Sequence, residues 1–174
     1  YWLFSGKIHP AGPVMERGTW DIVRRALPSL KATVLKDFRE ILAQTGQPYD
    51  QNLTDLVYSF GGRSVCFYSV DDPQKLRSRK RDFIHLVEAN EVEYDAFLQI
   101  AFRTTTRIFC DFNPDDSTSW LKTEIEEKRA ETMGDVTVIV STYRDNPTLS
   151  ELEVREIEYL QHVSPELWAV FGRG

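Results

Sequence analysis

Cysteine is scarce: Cys66 and Cys110 are the only two in 174 residues, they stand far apart inside apolar runs, and neither has a second Cys or a His at metal-ligand spacing. That excludes a disulfide framework and a cysteine-ligated metal, and leaves two reduced thiols expected in the core. Long apolar runs are missing too, and the chain opens on a strand-like stretch rather than on the charged and apolar regions of a signal peptide. A soluble, intracellular protein with no membrane contact is the expectation. Positive charge is not in excess, since 21 Lys and Arg stand against 27 Asp and Glu, for a net charge of −6. Any nucleic-acid contact has to come from a local patch rather than from the whole surface. The three histidines, His9, His85 and His162, lack partners at ligand or triad spacing, so His85 reads as a plain strand residue and the other two as surface. Trp2, Trp20, Trp120 and Trp168 are scattered over separate segments, which fits core anchors better than a base-stacking platform.

What is present is a core. With 41% hydrophobic and 12% aromatic residues, 174 positions suffice for one well-packed domain and are short for two, so 1–174 is expected to be a single domain. Aromatic and β-branched runs over 1–5 and 20–23 suit buried strands. Leu30, Val34, Leu35, Phe38, Ile41 and Leu42 recur at helical spacing between Pro28-Ser29 and Gly46, which predicts one amphipathic helix. Runs over 56–60 and 64–70 flank Gly61-Gly62, a pair that supplies the positive φ of a tight hairpin. A strand over 83–87, a helix with Tyr94, Phe97, Leu98, Ala101 and Phe102 on one stripe, and a strand from Arg107 follow. Next come a helix over 120–129 and a strand over 136–142. Ser150 and Glu153 form a capping box for a helix reaching about His162, and Ser164, Pro165 and Gly172 delimit a last short one.

Strands that alternate with helices and are apolar on both faces define an α/β fold: a mostly parallel sheet flanked by helices, with one inserted antiparallel hairpin. In such sheets ligands bind beyond the carboxyl ends of the strands. Glu88 stands where the strand over 83–87 runs out, so its carboxylate can orient water or a metal ion in that crevice. Equally, Glu88 and Glu91 can simply open the next helix, where the macrodipole favours acidic residues. The basic run Lys75, Arg77, Arg79, Lys80 and Arg81, just before this strand, reads first as a solvated face.

The segments DDPQKLRSRKRDFIHLVEANEVEYDAFLQIAFRT, IFCDFNP, STYRDNPTLSELEVREIEYL and PELWAVFGRG, taken in order, resemble the ATPase domain of the large terminase subunit of tailed bacteriophages, from about Asp21 onward. The resemblance implies a P-loop NTPase-like fold and an ATP-hydrolysing motor, with ATP and Mg2+ as cofactors, that translocates double-stranded DNA into the procapsid. It further implies a homo-oligomeric ring that works with the portal protein and the small terminase subunit in the host bacterial cytoplasm, and a separate nuclease domain that this chain lacks. Carried over, Glu88 matches the catalytic glutamate that aligns water for attack on the γ-phosphate. Asn113, in DFNP, matches the coupling motif, and as a residue before Pro114 it also reads as a turn former. Arg77 matches an arginine that reaches the nucleotide of a neighbouring subunit. Arg24 and Arg25 match a region near the nucleotide, or are strand-end surface charges. Val87 occupies the place where relatives carry a carboxylate or amide supporting magnesium, so the metal ligands are unknown.

One part of the family pattern is lacking. A phosphate loop needs glycines, a Lys, and a Ser or Thr, yet Gly6 is followed by KIHPAGPVMERG. Three explanations stand: loop residues lying outside this sequence, a deletion, or a degenerate relative that acts as a nucleotide-independent assembly or DNA-binding module. The first is the expectation, with the loop between Gly6 and Thr19 and with Lys7 as its closing lysine or the edge of the break.

Overall fold

The computed structural model describes residues 18–71, 73–113 and 118–173, with the side chains of 73–75 set aside. The expected strand over 1–5 and the expected nucleotide contacts Gly6 and Lys7 lie outside the described residues. Two compact units result, one ending at Asp111 and the other beginning at Phe112.

The first unit is built on a six-stranded sheet in the order β2-β3-β4-β1-β5-β6. At its centre, β1 (Gly18–Arg24) pairs in parallel with β4 (Arg63–Ser69) on one side and with β5 (Arg81–Leu86) on the other. On the far edge β6 (Thr104–Cys110) pairs in parallel with β5. Both faces of the central strands are used, as expected for parallel strands that read as continuous apolar runs. Trp20 stacks on Phe83 and Phe109 at 5.3 and 5.4 Å, while Val23, Ile84 and Leu86 are fully buried.

The helix read over Leu30–Leu42 is two helices, α1 (Leu27–Ala32) and α2 (Val34–Thr45). Thr33 breaks it at φ −114°, ψ −94°. Its side-chain hydroxyl donates to the Ser29 carbonyl at 2.8 Å, a local bond that competes with helix continuation. Most of the predicted stripe is buried, since Leu30, Leu35 and Leu42 join Tyr58, Phe60, Val65 and Phe67 in one core cluster with Val34 and Phe38 packed against it, but Ile41 is 49% exposed. Gly46 stops α2 in the left-handed region at φ 60°, as its position predicts.

The predicted hairpin is β3 (Val57–Phe60) against β4, with Gly61 at φ 65°. A further antiparallel strand, β2 (Asp50–Asn52), extends the edge. Its three polar residues show no apolar alternation, and an Asx turn in which Asn52 Oδ1 accepts from Thr54 N and Asp55 N ends it. The basic run overlaps α3 (Pro73–Ser78) and is not a uniformly solvated face: Arg81 is 1% exposed. Beyond β5 come a 3-10 turn (Ala89–Glu91) and α4 (Tyr94–Ala101), which buries Phe97 and Ile100. Phe102, expected on that stripe, falls past the helix end and is 76% exposed.

The second unit holds a π-helical stretch (Leu121–Arg129) that continues as α5 (Ala130–Met133), then α6 (Glu151–Val163) and α7 (Pro165–Phe171). Ser150 and Glu153 form the capping box and Ser164 caps α7, both as predicted. The strand expected over 136–142 is corrected: these residues take no strand conformation, and Ile139 is 86% exposed. β propensity is realised only against a neighbouring strand, and none of the described strands pairs with this segment.

Candidate functional site

The carboxyl ends of β1, β5 and β6 lie side by side. Val87 N donates to the Val23 carbonyl at 2.8 Å and Asp111 N to the Leu86 carbonyl at 3.1 Å, so all three strands stay in register to the last residue. There the chain after β5 turns sharply. Glu88 takes φ 51°, ψ 57°, the left-handed region that a side chain with a Cβ disfavours. Such a conformation costs on the order of 1–3 kcal/mol and persists only where surrounding contacts over-determine it.

Those contacts come from both flanking strands. From the β6 side, the Asp111 carbonyl accepts from Ala89 N at 2.8 Å, and its carboxylate Oδ2 accepts from Glu88 N at 3.3 Å. From the β1 side, Arg24 donates through Nη2 and Nε to the two carboxylate oxygens of Glu91 at 3.2 and 3.4 Å. This two-pronged pair fastens the 3-10 turn that follows Glu88. A third bond of 3.4 Å from Arg24 Nη1 to Thr33 Oγ1 ties the same guanidinium to the break between α1 and α2.

His85 is not the solitary strand residue its sequence neighbourhood predicts. Its Nε2 lies 2.5 Å from Asp111 Oδ1. An ionised carboxylate only accepts, so the ring carries its hydrogen on Nε2. Burial pushes the Asp111 carboxyl up, but the hydrogen bond and charge of His85, the Glu88 amide and the Arg24 charge outweigh it, so the group lies below the usual carboxylate range. Because the folded value is depressed, Asp111 stabilises the fold above its unfolded pKa of about 3.9, and this contribution is lost as pH falls through the lower folded value. A carboxyl NMR titration is expected to place the Asp111 midpoint below about 3.9 and to move it upward in His85→Leu; an unmoved midpoint would contradict the pairing.

Of the residues singled out from sequence, the structure brings together Glu88 and, through Glu91, Arg24. Arg25 is exposed just beyond β1. Arg77 lies on α3, exposed, and its carbonyl accepts from Arg103 Nε at 2.8 Å, at the end of the sheet where β5 and β6 begin. It lines a cavity of about 400 Å³ with Leu76, Asp95, Leu98 and Phe102, and this cavity does not include Glu88. Asn113 is exposed and belongs to the second unit. Asp111 and the pairing role of His85 are what sequence reading missed, while Glu91, read as opening the next helix, does lie in the 3-10 turn; the one available signal is that polar side chains stand at or just past the ends of neighbouring apolar strands.

Magnesium that comes with a nucleotide is held mainly by phosphates and needs few protein ligands. Val87 is buried and apolar, and among the described residues no three His, Cys, Asp or Glu side chains converge to hold a metal. Cys66 is buried, whereas Cys110, expected in the core, is only partly buried; burial raises the Cys66 thiol, and burial with Asp111 nearby raises Cys110 to about 12, which disfavours the thiolate at both.

An open, mostly parallel α/β sheet with its polar side chains gathered beyond the central strands defines the class of protein. Within that class, the chain belongs to the phage terminase large subunit family, whose sequence pattern matches residues 14–174. The PBSX phage terminase large subunit of Bacillus subtilis (strain 168) is 24% identical over 190 residues, covering 91% of this chain and 42% of the relative. The large terminase of a thermophilic bacteriophage superposes with a TM-score of 0.72 at 17% identity, over 84% of this chain and 38% of that one. The same phage protein in complex with ADP gives 0.69 at 19% identity over 84% of this chain and 37% of that one. In complex with ATP-gamma-S it gives 0.66 at 18% over 84% and 36%. The chain thus spans less than half the length of the relatives it matches.

Proposed function

We propose that this chain is the ATP-hydrolysing motor domain of a phage terminase, which moves double-stranded DNA into the procapsid. One observation carries the reading: Glu88 stands on a strained turn just past the carboxyl end of a central parallel strand, and the turn is held from both neighbouring strands. The family membership supports it, as do the complexes of the thermophilic phage's large terminase with ADP and ATP-gamma-S. In this reading Glu88 accepts a hydrogen bond from the attacking water and aligns it with the γ-phosphate, a positioning role suited to phosphoryl transfer. Arg24 is occupied by Glu91 and serves the turn rather than the phosphates. Arg77, at the far end of the strands from Glu88, acts on the nucleotide of a neighbouring subunit in a homo-oligomeric ring, and Asn113 senses the phosphate. Magnesium arrives with the nucleotide. Portal protein and small terminase subunit are the partners this motor requires.

The test is magnesium-dependent ATP hydrolysis by the protein that carries this chain. Activity lost in Glu88→Gln is the expected result, and in Arg77→Ala it is restored in part by mixing with Glu88→Gln subunits, each supplying what the other lacks. Undiminished hydrolysis in Glu88→Gln overturns the proposal. Salt-sensitive DNA binding without any nucleotide dependence supports instead the competing reading, a nucleotide-independent assembly or DNA-binding module, for which the apolar Val87 is the favouring observation.

A further inference from the structure

We infer that Asp111, oriented by His85, is a positioning residue that holds Glu88 in its catalytic conformation; the inference rests on the ATPase reading of Glu88. A left-handed residue with a Cβ springs back to ordinary backbone unless its amide is tied. Asp111 supplies that tie twice within two residues, through its carboxylate to Glu88 N and through its carbonyl to Ala89 N. A carboxylate bonded only at Oδ2 rotates about its χ2 torsion, since that torsion is broad. His85 removes the freedom by engaging Oδ1 at 2.5 Å, which leaves Oδ2 facing the Glu88 amide. His85 is itself fixed by the β5 ladder, where it pairs with Ile22 on one side and Phe109 on the other. The result is a relay of two side chains from the body of β5, across to the end of β6, and back to the turn that follows β5.

The relay also gives a reason for an imidazole between Phe83, Ile84 and Leu86 in the second half of β5. An apolar residue at 85 would pack as well and would leave Asp111 free to rotate. The β1 contact through Arg24 and Glu91 acts further along the turn and leaves the Glu88 amide itself to Asp111.

Amide hydrogen exchange at Glu88 and Ala89 tests the relay without reference to activity, and kcat and KM for ATP test its consequence. In Asp111→Ala, exchange at Glu88 is expected to rise about tenfold, and kcat to fall by a similar factor with KM nearly unchanged, the size of one charge-assisted hydrogen bond. Asp111→Asn keeps one acceptor oxygen for two donors, His85 Nε2–H and the Glu88 amide, so protection returns only in part. His85→Leu shows a smaller rise, His85→Gln reverses it by returning an N–H donor, and His85→Leu adds nothing in the Asp111→Ala background. Should Asp111→Ala fail to fold, the His85 pair reads the same relay from a partner outside the turn. Unchanged exchange at Glu88 in both Asp111→Ala and His85→Leu overturns the inference, as do fully additive effects of the two. Altered exchange in a protein whose Glu88→Gln form hydrolyses ATP normally upholds the relay and overturns the ATPase reading.

Discussion

Glu88→Gln is expected to lower kcat for ATP hydrolysis by about 10²–10⁴-fold, the range for loss of a positioned proton acceptor. The substitution is nearly isosteric, and the turn depends on the main-chain amide of residue 88, which glutamine keeps bonded to Asp111. Folding and nucleotide affinity should therefore be unchanged, and KM should move little. What is lost is the acceptor-only character of the carboxylate: the amide presents donors to a water molecule whose proton must be taken. Steady-state kinetics with an independent measurement of nucleotide binding separate the two effects.

Glu88→Gly completes the pair. Glycine occupies the left-handed region freely, so removing the side chain removes the strain. Stability is expected to rise by roughly 1 kcal/mol, the cost of a left-handed residue with a Cβ, while hydrolysis falls as far as in Glu88→Gln. A melting temperature that drops instead would show that the Glu88 side chain holds the turn, and would remove the argument that the conformation is maintained from β1 and β6.

Why the strand before Glu88 was legible in sequence and the clamp around it was not follows from the range of each interaction. Parallel strands are buried on both faces, so 83–87 stands out as an apolar run, and the glycine pair 61–62 marks its hairpin unaided. His85 and Asp111 lie 26 residues apart, and only the β5–β6 register, which pairs Leu86 with Cys110, brings them together. Arg24 and Glu91 are separated further still and meet only because β1 and β5 end level. The opposite error arises at 136–142, where apolar β-branched residues predict a strand that the described sheet does not include. Composition reports what a segment can do, whereas pairing depends on a partner elsewhere in the chain. β2 shows the converse, since DQN becomes a strand purely through its ladder to β3.

The largest loss of stability is expected from splitting the buried ion pair between β1 and β5. Arg81 Nε lies 3.1 Å from Asp21 Oδ2, with both side chains almost wholly buried. Tyr68 donates its hydroxyl to the same oxygen at 2.7 Å, and the guanidinium lies 5.8 Å from the centre of the Tyr68 ring. Arg81 Nη2 also donates to the carbonyls of Leu76 and Arg79 at 3.1 and 2.9 Å, which fastens the end of α3. Burial raises the Asp21 carboxyl, against the pull of Tyr68 and Arg81, and burial raises the Tyr68 hydroxyl as well, which keeps Tyr68 a donor.

Removing either charge leaves the other desolvated. Asp21→Leu or Arg81→Met alone is expected to cost about 3–5 kcal/mol in denaturant unfolding, whereas the double replacement, which buries no lone charge, should lie far closer to the parent than the sum. Additive losses would mean that the two residues stabilise separately, through packing alone. The pair's place in the molecule gives it a second consequence. Asp21 sits three residues before Arg24, and Arg81 opens the strand that ends two residues before Glu88, so this buried pair joins the bonds between Thr19 and Asp82 in setting β1 against β5. A one-residue slip between these strands would turn each inward side chain to the opposite face. It would also part Arg24 from Glu91, and with it release the β1 side of the turn that carries Glu88. In the double variant, a parent-like stability combined with a fall in ATP hydrolysis would therefore show that Asp21 and Arg81 help to set the strand register for the site, retained for specificity of alignment rather than for net stability.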